Sequence, residues 1–303
     1  MTLFAVDIGG TKIAAGRVTE QGDLDGPVLT TTTPATQGPE AVLDAVAALV
    51  RQLDDRGVTA AGVSSAGVID SSTGTVLGST TSISGWAGTP LSHHLSQAIG
   101  CPVFALGDGH AFALGEAVYG AARSATSLLV LAVGTGVGGS YVRDRKTLTG
   151  SHWAGGHFGH LAVPQAEGLL CDCGKVGHLE AIGSGPGMLR WYYRHGGDPR
   201  LLDARELFTT ADADVTAAHA IDMGAAAVGT AAGGLVNAFD PDVVVIAGGL
   251  SQAGPRWEQP LRASFTRTLI PALSGTPLII SETDAWLVLR GAAFYAQTRK
   301  DIA

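Results

Sequence analysis

The stretch Leu3-Phe-Ala-Val-Asp-Ile-Gly-Gly-Thr-Lys12 predicts a buried strand that ends in a tight glycine turn, and Ile13–Val18 predicts a return strand. P-loops and dinucleotide-binding motifs have a helix after their glycines, so this pattern disfavours both. Glycine N–H groups can converge on an anion, and an aspartate such as Asp7 can hold a hydrated Mg²⁺. An ordinary Gly-Gly hairpin is the alternative interpretation of this turn.

The same pattern recurs later in the chain. Leu128–Val133 predicts a buried strand, Gly134-Thr-Gly-Val-Gly-Gly139 a turn, and Ser140–Arg143 the beginning of a return strand. A repeat at this separation indicates two similar α/β domains rather than a short-period solenoid. Two such turns, each after a predicted buried strand, are hard to explain as two ordinary hairpins. They favour phosphate binding at both turns, as in a nucleotide-binding kinase. A third double glycine, Gly248-Gly249, follows the predicted strand Asp242–Ala247, where a plain loop is the alternative.

Between the first two glycine turns, predicted helices alternate with predicted strands. Apolar spacing and turn residues predict further elements, namely helices over Pro39–Leu53, Thr89–Ile99 and His110–Tyr119, strands over Val58–Ala66 and Pro102–Leu106, two helical stretches near 214–238, and a terminal helix over Ala285–Gln297. Residues 150–187 are rich in glycine, histidine and cysteine with little periodicity. This composition predicts a site-bearing region rather than a core element.

Composition and charge narrow the class of protein. The 303 residues include 43 glycines without a Gly-X-Y period, and 46% are hydrophobic, which excludes collagen and disfavours disorder. The net charge of −8 without a basic run disfavours nucleic-acid and membrane partners. The N-terminus resembles no secretory signal and the apolar runs are too short to span a bilayer. Three cysteines disfavour a disulfide framework, and we expect a cytoplasmic protein.

Asp108 lies between glycines directly after an apolar strand, in Leu106-Gly-Asp-Gly-His-Ala111. A carboxylate at the carboxyl end of a strand, facing a cleft, is well placed to accept a proton from an alcohol. A turn aspartate or a helix N-cap is the commoner use of Asp-Gly, and in isolation it is favoured.

A second group of residues has the composition of a metal site. His157-Phe-Gly-His160 precedes Cys171-Asp-Cys173-Gly-Lys-Val-Gly-His178-Leu-Glu180, and together they offer the ligand types of a structural Cys₂His₂ zinc site. Cys-X-Cys is not the usual zinc-finger spacing, and buried histidines with inert thiols are the alternative. A zinc loop would anchor Glu180, whose carboxylate could then project toward a polyhydroxylated ligand.

Taken together, these residues resemble the ROK family of repressors, open reading frames and sugar kinases over essentially the whole chain. The family's zinc signature is Cys-X-Cys-Gly-X-X-Gly-Cys-X-Glu, and here His178 replaces its last cysteine. The resemblance implies an α/β fold of two ribonuclease H-like, actin-like ATPase domains with a cleft between them. It implies a small domain over 1–118, on which a helix at 287–303 packs back, and a larger domain over 119–286 that carries the zinc loop.

The resemblance also implies an ATP-dependent sugar kinase with Mg²⁺, a structural Zn²⁺ and a homodimeric state. It assigns the catalytic base to Asp108. The positions implied to bind nucleotide are Asp7, Gly9, Gly10, Thr11, Lys12, Gly134, Thr135, Gly136, Gly138, Gly139, Gly248 and Gly249. Those implied to bind sugar are Gly67, Ser82, Gly107, Asp108, His157, His160 and Glu180. The implied zinc ligands are His160, Cys171, Cys173 and His178. Cys101 has no implied role, and a buried apolar cysteine is the default.

The sugar pocket departs from the family pattern. Gly107 and Ser82 stand where the kinases usually have asparagines, and His157 stands where they usually have glutamate. The His-X-Gly-His variant resembles bacterial N-acetylmannosamine kinases. The sequence therefore predicts phosphorylation of N-acetylmannosamine, with a glucokinase or other hexose kinase as the first alternative and a catalytically weak sugar-binding regulator as the second. The absence of residues before Met1 disfavours a helix-turn-helix repressor.

Overall fold

A computed structural model describes residues 2–79, 82–281, 284 and 286–300. The contacts divide these residues into two compact units. The first unit comprises the chain up to Ser124, Arg145–Gly155, and the described residues from Asp284 onward. The second comprises Ala125–Asp144 and the described residues from Gly156 to Ser281.

Strands and helices alternate along much of the chain. In order they are β1 Thr2–Ile8, β2 Lys12–Thr19, β3 Leu29–Thr32, α1 Pro39–Val50, β4 Val58–Ser65, β5 Val68–Asp70, β6 Thr75–Gly78, α2 Leu91–Ile99, β7 Val103–Gly107, α3 Asp108–Val118, β8 Ser127–Val133, β9 Val137–Arg143, β10 Lys146–Thr147, α4 Glu180–Gly183, α5 Gly185–Arg194, α6 Ala204–Thr210, α7 Val215–Phe239, β11 Val243–Ala247, α8 Pro255–Thr268, β12 Leu278–Ile280 and α9 Leu287–Lys300. Short 3-10 helices lie at Phe158–His160, Pro164–Ala166, Gly249–Gln252 and Pro271–Leu273.

The first unit is built on a five-stranded sheet in the order β3-β2-β1-β4-β7. β2 is antiparallel to β1 and to β3, whereas β4 is parallel to β1 and to β7. Both faces of β1 are buried, because Phe4 and Val6 contribute to the core that α1 and α2 share, while Leu3 and Ala5 lie in a core with α9. The backbone of α9 approaches β4 so closely that a Cβ at Gly62 would overlap the carbonyl of Ala292.

The second unit repeats this plan. Its strands lie in the order β9-β8-β11-β12, with β9 antiparallel to β8, and β11 parallel to both β8 and β12. Apolar residues of β8 and β11 pack with the long helix α7 and with α8 in one core. A hairpin followed by parallel strands therefore occurs in both units, and the predicted α/β class with a repeated strand–glycine turn–strand pattern is confirmed.

The structure corrects three predictions. Residues 215–239 form the single helix α7 rather than two stretches, because Gly229 and Gly233 allow close packing on α8 and do not interrupt the helix. β9 begins at Val137, so Gly138 and Gly139 are strand residues rather than turn residues. The region 150–187 does contribute to the core, through buried side chains that include Phe158 and Ile182.

The ends of two predicted helices also differ from the sequence interpretation. α3 begins at Asp108 rather than His110, so the aspartate is the first residue of the helix. The terminal helix is α9, and the predicted positions Ala285 and 301–303 lie outside the described residues.

The compact units differ from the predicted domain ranges 1–118 and 119–286, which stay a prediction. Residues up to Ser124 and Arg145–Gly155 group with the first unit. Arg145–Gly155 groups with the first unit in part because Nε2 of His110, on α3, lies 2.7 Å from the carbonyl oxygen of Gly155. α9 belongs to the first unit and contacts β1, β4 and α3 there.

Candidate active site and metal centre

The first glycine turn connects β1 to β2 and is fixed by backbone bonds. The N–H of Gly9 donates to the carbonyl of Lys12 at 3.0 Å, and Thr33 donates from its hydroxyl to the carbonyl of Gly9 at 2.7 Å. A Cβ at Gly10 would lie 2.9 Å from the Cβ of Ser82, so this position needs glycine. The structure therefore brings the predicted nucleotide turn and the predicted sugar residue Ser82 together.

Asp7 is the next-to-last residue of β1, directly before this turn. The Ser64 hydroxyl, on the neighbouring strand β4, donates to Oδ1 of Asp7 at 2.7 Å. Burial raises the pKa of Asp7 to about 6; the hydrogen bond from Ser64 opposes this increase, the charge of Asp108 adds to it, and Lys12 lowers the pKa. The carboxylate is thus held in a site that disfavours its charge, as expected for a group that completes its environment with a cation.

Asp108 is exposed and occupies the carboxyl end of β7, at the first position of α3. Its Oδ1 accepts a hydrogen bond from the N–H of Gly109 at 2.7 Å. The N-cap of α3 is Gly107, so the capping role that the sequence left open for Asp108 is excluded. The carboxylate of a strand-end aspartate in this position can accept a proton from a bound alcohol.

Gly67 and Gly107 lie side by side next to Asp108. Gly67 has a φ of 104°, and a Cβ there would lie 2.5 Å from the carbonyl oxygen of Gly78, so the turn between β4 and β5 requires glycine. Gly107 has a φ of −65°, and a Cβ there would meet the Gly67 carbonyl oxygen at 3.4 Å, an ordinary contact. Position 107 therefore has room for a Cβ, and glycine is not required there by the contacts of that atom.

The second glycine turn lies in the second unit, between β8 and β9. The N–H of Gly134 donates to the carbonyl of Gly136 at 2.9 Å, and the N–H of Gly185, at the beginning of α5, donates to the carbonyl of Gly134 at 2.8 Å. The backbone N of Gly249 lies 3.7 Å from where a Cβ of Gly134 would be. Gly248, with a φ of 91°, packs directly on the backbone of Val133. The structure thus brings the second and third predicted turns together.

Three further predicted nucleotide residues belong to the same hairpin. Thr135 is exposed at its tip. A Cβ at Gly138 would meet no atom within 4 Å, whereas a Cβ at Gly139 would overlap the backbone of Val130 and the ring of Phe158. Gly139 is therefore required by packing, independently of any ligand.

Glu180 begins α4 and lies against the second turn. Its Oε2 accepts a hydrogen bond from the backbone N–H of Val137 at 2.8 Å and would lie 2.8 Å from a Cβ at Gly136. The residue predicted to contact sugar is thus bonded to the hairpin that carries the predicted nucleotide turn.

The four predicted metal ligands are close together. One ligand atom from each of His160, Cys171, Cys173 and His178 lies within 4.8 Å of the others. Sγ of Cys171 lies 3.8 Å from Nδ1 of His160, and Sγ of Cys173 lies 3.2 Å from Nδ1 of His178. Tetrahedral zinc, with Zn–S near 2.3 Å and Zn–N near 2.0–2.1 Å, separates such atoms by about 3.6 Å. The donor set and the spacing fit zinc.

Backbone bonds shape the loop that carries these ligands. Cys171 donates its N–H to the carbonyl of Lys175 at 2.8 Å, and Leu179 donates to the carbonyl of Leu161 at 2.8 Å. Gly174 and Gly177 both have positive φ, which the family signature satisfies with glycine. Burial raises the pKa of the Cys171 thiol and lowers the pKa of His160. The ring of His157 stacks on that of His160 with centroids 6.2 Å apart.

A family model described as "ROK family" matches residues 3–299. The chain belongs to the ROK family. It is 32% identical to a glucokinase of Thermotoga maritima, across 93% of this chain and 92% of that protein. It is 35% identical to an N-acetylmannosamine kinase of Escherichia coli, across 84% of both chains. The structure of a ROK family glucokinase from Streptomyces griseus, in complex with glucose and AMPPNP, matches with a TM-score of 0.81 and 30% identity, covering 98% of this chain and 100% of that one.

Membership of the ROK family confirms the predicted fold class. The fold is that of the two-domain actin-like ATPases, and the repeated hairpin sheets are its two halves. No helix within the described part of the chain combines the length and the apolar character needed to cross a bilayer.

Several residues that support this ROK site were missed from the sequence. Thr33 and Ser64 hold the first turn and Asp7, and only Ser64 had a signal, as a polar residue at the end of an apolar strand. Nζ of Lys12 lies 5.5 Å from the centroid of the Trp286 ring, a cation–π contact between residues far apart in sequence. Cys101 is partly buried against the core of the first unit, where burial raises its pKa.

Asp7→Asn is expected to stabilise the fold at pH 7.5. The pKa of Asp7 is raised from 3.8 to about 6, so the folded state binds more protons between these values and the wild-type protein loses stability as pH rises through them. Asparagine does not titrate and still accepts from Ser64, so its free energy of unfolding should exceed that of the wild type by about 1–3 kcal/mol above pH 6.

Urea unfolding at pH 7.5 and at pH 4.5 measures this difference, which should fall to about a third of its value at the lower pH. Asp44→Asn, on the exposed side of α1, is the matched control and should change stability by less than about 0.5 kcal/mol. An Asp7→Asn variant less stable than wild type at pH 7.5 would contradict the role assigned to burial.

Proposed function

We propose that this ROK family sugar kinase transfers the γ-phosphoryl group of ATP to the 6-hydroxyl of N-acetylmannosamine or a related hexose. The observation that carries the proposal is the placement of Asp108. It is an exposed carboxylate at the carboxyl end of β7, near enough to Asp7 to influence its pKa, and Asp7 lies at the first glycine turn. The relatives named glucokinase and N-acetylmannosamine kinase support the same reaction class.

Asp108 is the proposed general base. Its carboxylate accepts the proton of the sugar 6-hydroxyl while the oxygen of that hydroxyl attacks the γ-phosphorus and ADP leaves. The glycine N–H groups at Gly9–Gly10, Gly134–Gly136 and Gly248–Gly249 would bind the nucleotide, with Thr11, Lys12 and Thr135 beside them. Asp7 would hold the hydrated Mg²⁺, which neutralises phosphate charge when bound.

A structural zinc is part of the proposal. His160, Cys171, Cys173 and His178 would bind it, and their four donor atoms lie close enough together to do so. The zinc loop runs directly into α4, so the metal would fix the position of Glu180, whose Oε2 is bonded to Val137. We also propose that the chain forms a homodimer, which light scattering on the purified protein measures.

The choice of sugar rests on the pocket residues. His157, in place of the glutamate that ROK kinases usually have, exchanges a fixed acceptor for a group that can donate, which suits an acetamido carbonyl. The glucokinase alternative is supported by similarity over a larger share of the chain, at 93% against 84%. The third candidate, a catalytically weak sugar-binding regulator, is supported by Gly107 and Ser82, which lack the amide side chains that bind sugar hydroxyls.

A coupled assay of ADP release distinguishes the three. With ATP and Mg²⁺, the enzyme should act on N-acetylmannosamine with a kcat/KM at least about tenfold above that for glucose, mannose and N-acetylglucosamine. A preference for glucose would support the glucokinase alternative. Sugar binding by calorimetry without turnover on any of these sugars would support the regulator and refute the kinase.

A further inference from the structure

The residues around α4 hold the second glycine turn at two points. Oε2 of Glu180, the first residue of α4, accepts a hydrogen bond at 2.8 Å from the N–H of Val137, directly after the turn. At the beginning of the turn, the carbonyl of Gly134 accepts a hydrogen bond at 2.8 Å from the N–H of Gly185, the first residue of α5. Only the first of these contacts is made by a side chain. Glu180 is therefore the residue whose substitution releases the turn.

The position of Glu180 is fixed by its own neighbours. Leu179 is fully buried and donates its N–H to the carbonyl of Leu161 at 2.8 Å. The carbonyl of Glu180 accepts a hydrogen bond from the Ser184 hydroxyl at 2.8 Å, and that hydroxyl oxygen accepts one from the N–H of Gly187 at 3.0 Å. The carboxylate is thus anchored from both ends of α4, so it determines where the turn lies.

The second glycine turn needs such an external contact. Glycine loses more conformational freedom on folding than any other residue, so a glycine-rich backbone is costly to order. The N–H groups of a turn bind phosphate only while they converge on one point. Oε2 of Glu180 would lie 2.8 Å from a Cβ at Gly136, so the carboxylate lies directly against the turn. Since a carboxylate repels phosphate, its benefit to nucleotide binding comes from ordering the backbone rather than from charge.

We infer that Glu180 is a positioning residue for the nucleotide, whose Oε2 holds the backbone of the second glycine turn in its phosphate-binding conformation before any sugar is present. This inference rests on the proposed function, which assigns this turn to the nucleotide. It adds a second role to the sugar contact that the ROK resemblance implies for the same side chain. The two roles differ in that only the positioning role acts on nucleotide in the absence of sugar.

Two conservative variants separate the reach of the side chain from its charge. In Glu180→Asp the charge remains, but the side chain is one methylene shorter and no longer reaches Val137. In Glu180→Gln the charge is lost, but the amide oxygen still accepts from the N–H of Val137. Calorimetry with the ATP analogue AMPPNP and Mg²⁺, in the absence of sugar, measures nucleotide affinity without any contribution from a contact between Glu180 and sugar.

We expect Glu180→Asp to raise the Kd for AMPPNP by about five- to tenfold, which is within the range of one hydrogen bond. The Kd of Glu180→Gln should be at most about twofold above that of the wild type. A purely electrostatic role predicts the opposite ranking, because loss of the charge would tighten binding in Glu180→Gln alone. A role in sugar binding alone predicts no change in either variant. Either of these results would overturn the inference.

Glu167, an exposed glutamate of the second unit, provides the matched controls. Glu167→Asp and Glu167→Gln should both bind AMPPNP as the wild type does. If Glu180→Asp fails to fold, Glu180→Ala, which also removes the contact with Val137, takes its place in the comparison.

A measurement on the wild type needs no variant. The amide hydrogen of Val137 should exchange slowly with solvent before nucleotide or sugar is added, and rapid exchange there would refute the inference. The two proposals fail in different ways. Wild-type protein that binds no AMPPNP refutes the proposed function and this inference with it, whereas wild-type affinity in Glu180→Asp refutes the inference alone.

Discussion

Asp108→Asn is expected to reduce kcat for sugar phosphorylation by about 10²–10⁴-fold, the range that a positioned general base contributes. The amide cannot accept the proton of the attacking hydroxyl, so the oxygen reaches phosphorus without becoming a better nucleophile. Sugar binding should persist, because the asparagine oxygen still accepts a hydrogen bond from the ligand and from the N–H of Gly109. The coupled assay gives kcat, and calorimetry gives the Kd for the sugar.

Asp44→Asn is the matched control for this variant, since Asp44 is an exposed carboxylate on α1 in the same unit, away from the proposed site. It should retain wild-type kcat. Turnover by Asp108→Asn within about threefold of wild type would show that another group takes the proton, and the base assignment would then be wrong.

Cys171→Ser is expected to abolish zinc binding and to lower the free energy of unfolding by several kcal/mol. Structural zinc in small peptides binds with about 10–16 kcal/mol, and that binding energy is coupled to folding. Cys171 is one of the four clustered ligands, so without its thiolate the remaining three cannot complete a tetrahedron. The thiol is also almost fully buried, so its replacement by a hydroxyl places a polar group in the core. Elemental analysis should find one zinc per wild-type chain and almost none in the variant, and thermal unfolding should show the lower melting temperature.

Cys101→Ser provides the comparison, because this thiol is partly buried in the first unit and is not among the clustered ligands. It should keep one zinc per chain. Adding a chelator should lower the melting temperature of the wild type and of Cys101→Ser but not that of Cys171→Ser. Wild-type protein purified without chelators and found free of zinc would refute the metal site.

Local pattern was sufficient to predict much of each sheet. β1, β2, β8 and β11 are largely apolar runs next to glycine turns, and their type and position follow from the sequence alone. The short strands and the helices α5, α6 and α8 were not predicted. α8 contains Pro260 and has few apolar residues, so its helical state depends on packing against α7. The glycines of α7 that face α8 do not break the helix and allow that packing.

Some residues of the candidate site could likewise be predicted from the sequence, and others could not. Asp7, Asp108, Glu180 and the metal ligands were found because each belongs to a motif with a chemical reason for its spacing. His110, Thr33 and Trp286 belong to no motif, and they support the site through contacts with residues distant in the chain, at least 24 positions away. Such contacts exist only after folding, so periodicity and spacing contain no signal for them.

The close packing of α9 on the first sheet has a consequence for synthesis of the chain. Leu3 and Ala5 of β1 are buried with Leu289 and Ala293 of α9, so this face of the sheet is completed by residues that are made after the whole second unit. During synthesis, this face of the first sheet therefore stays uncovered until the second unit has been made. The second unit, in contrast, does not wait for α9, because its own residues precede that helix in the chain. Chaperones and proteases act on exposed apolar surface of this kind, so we expect them to have access to this face until α9 leaves the ribosome.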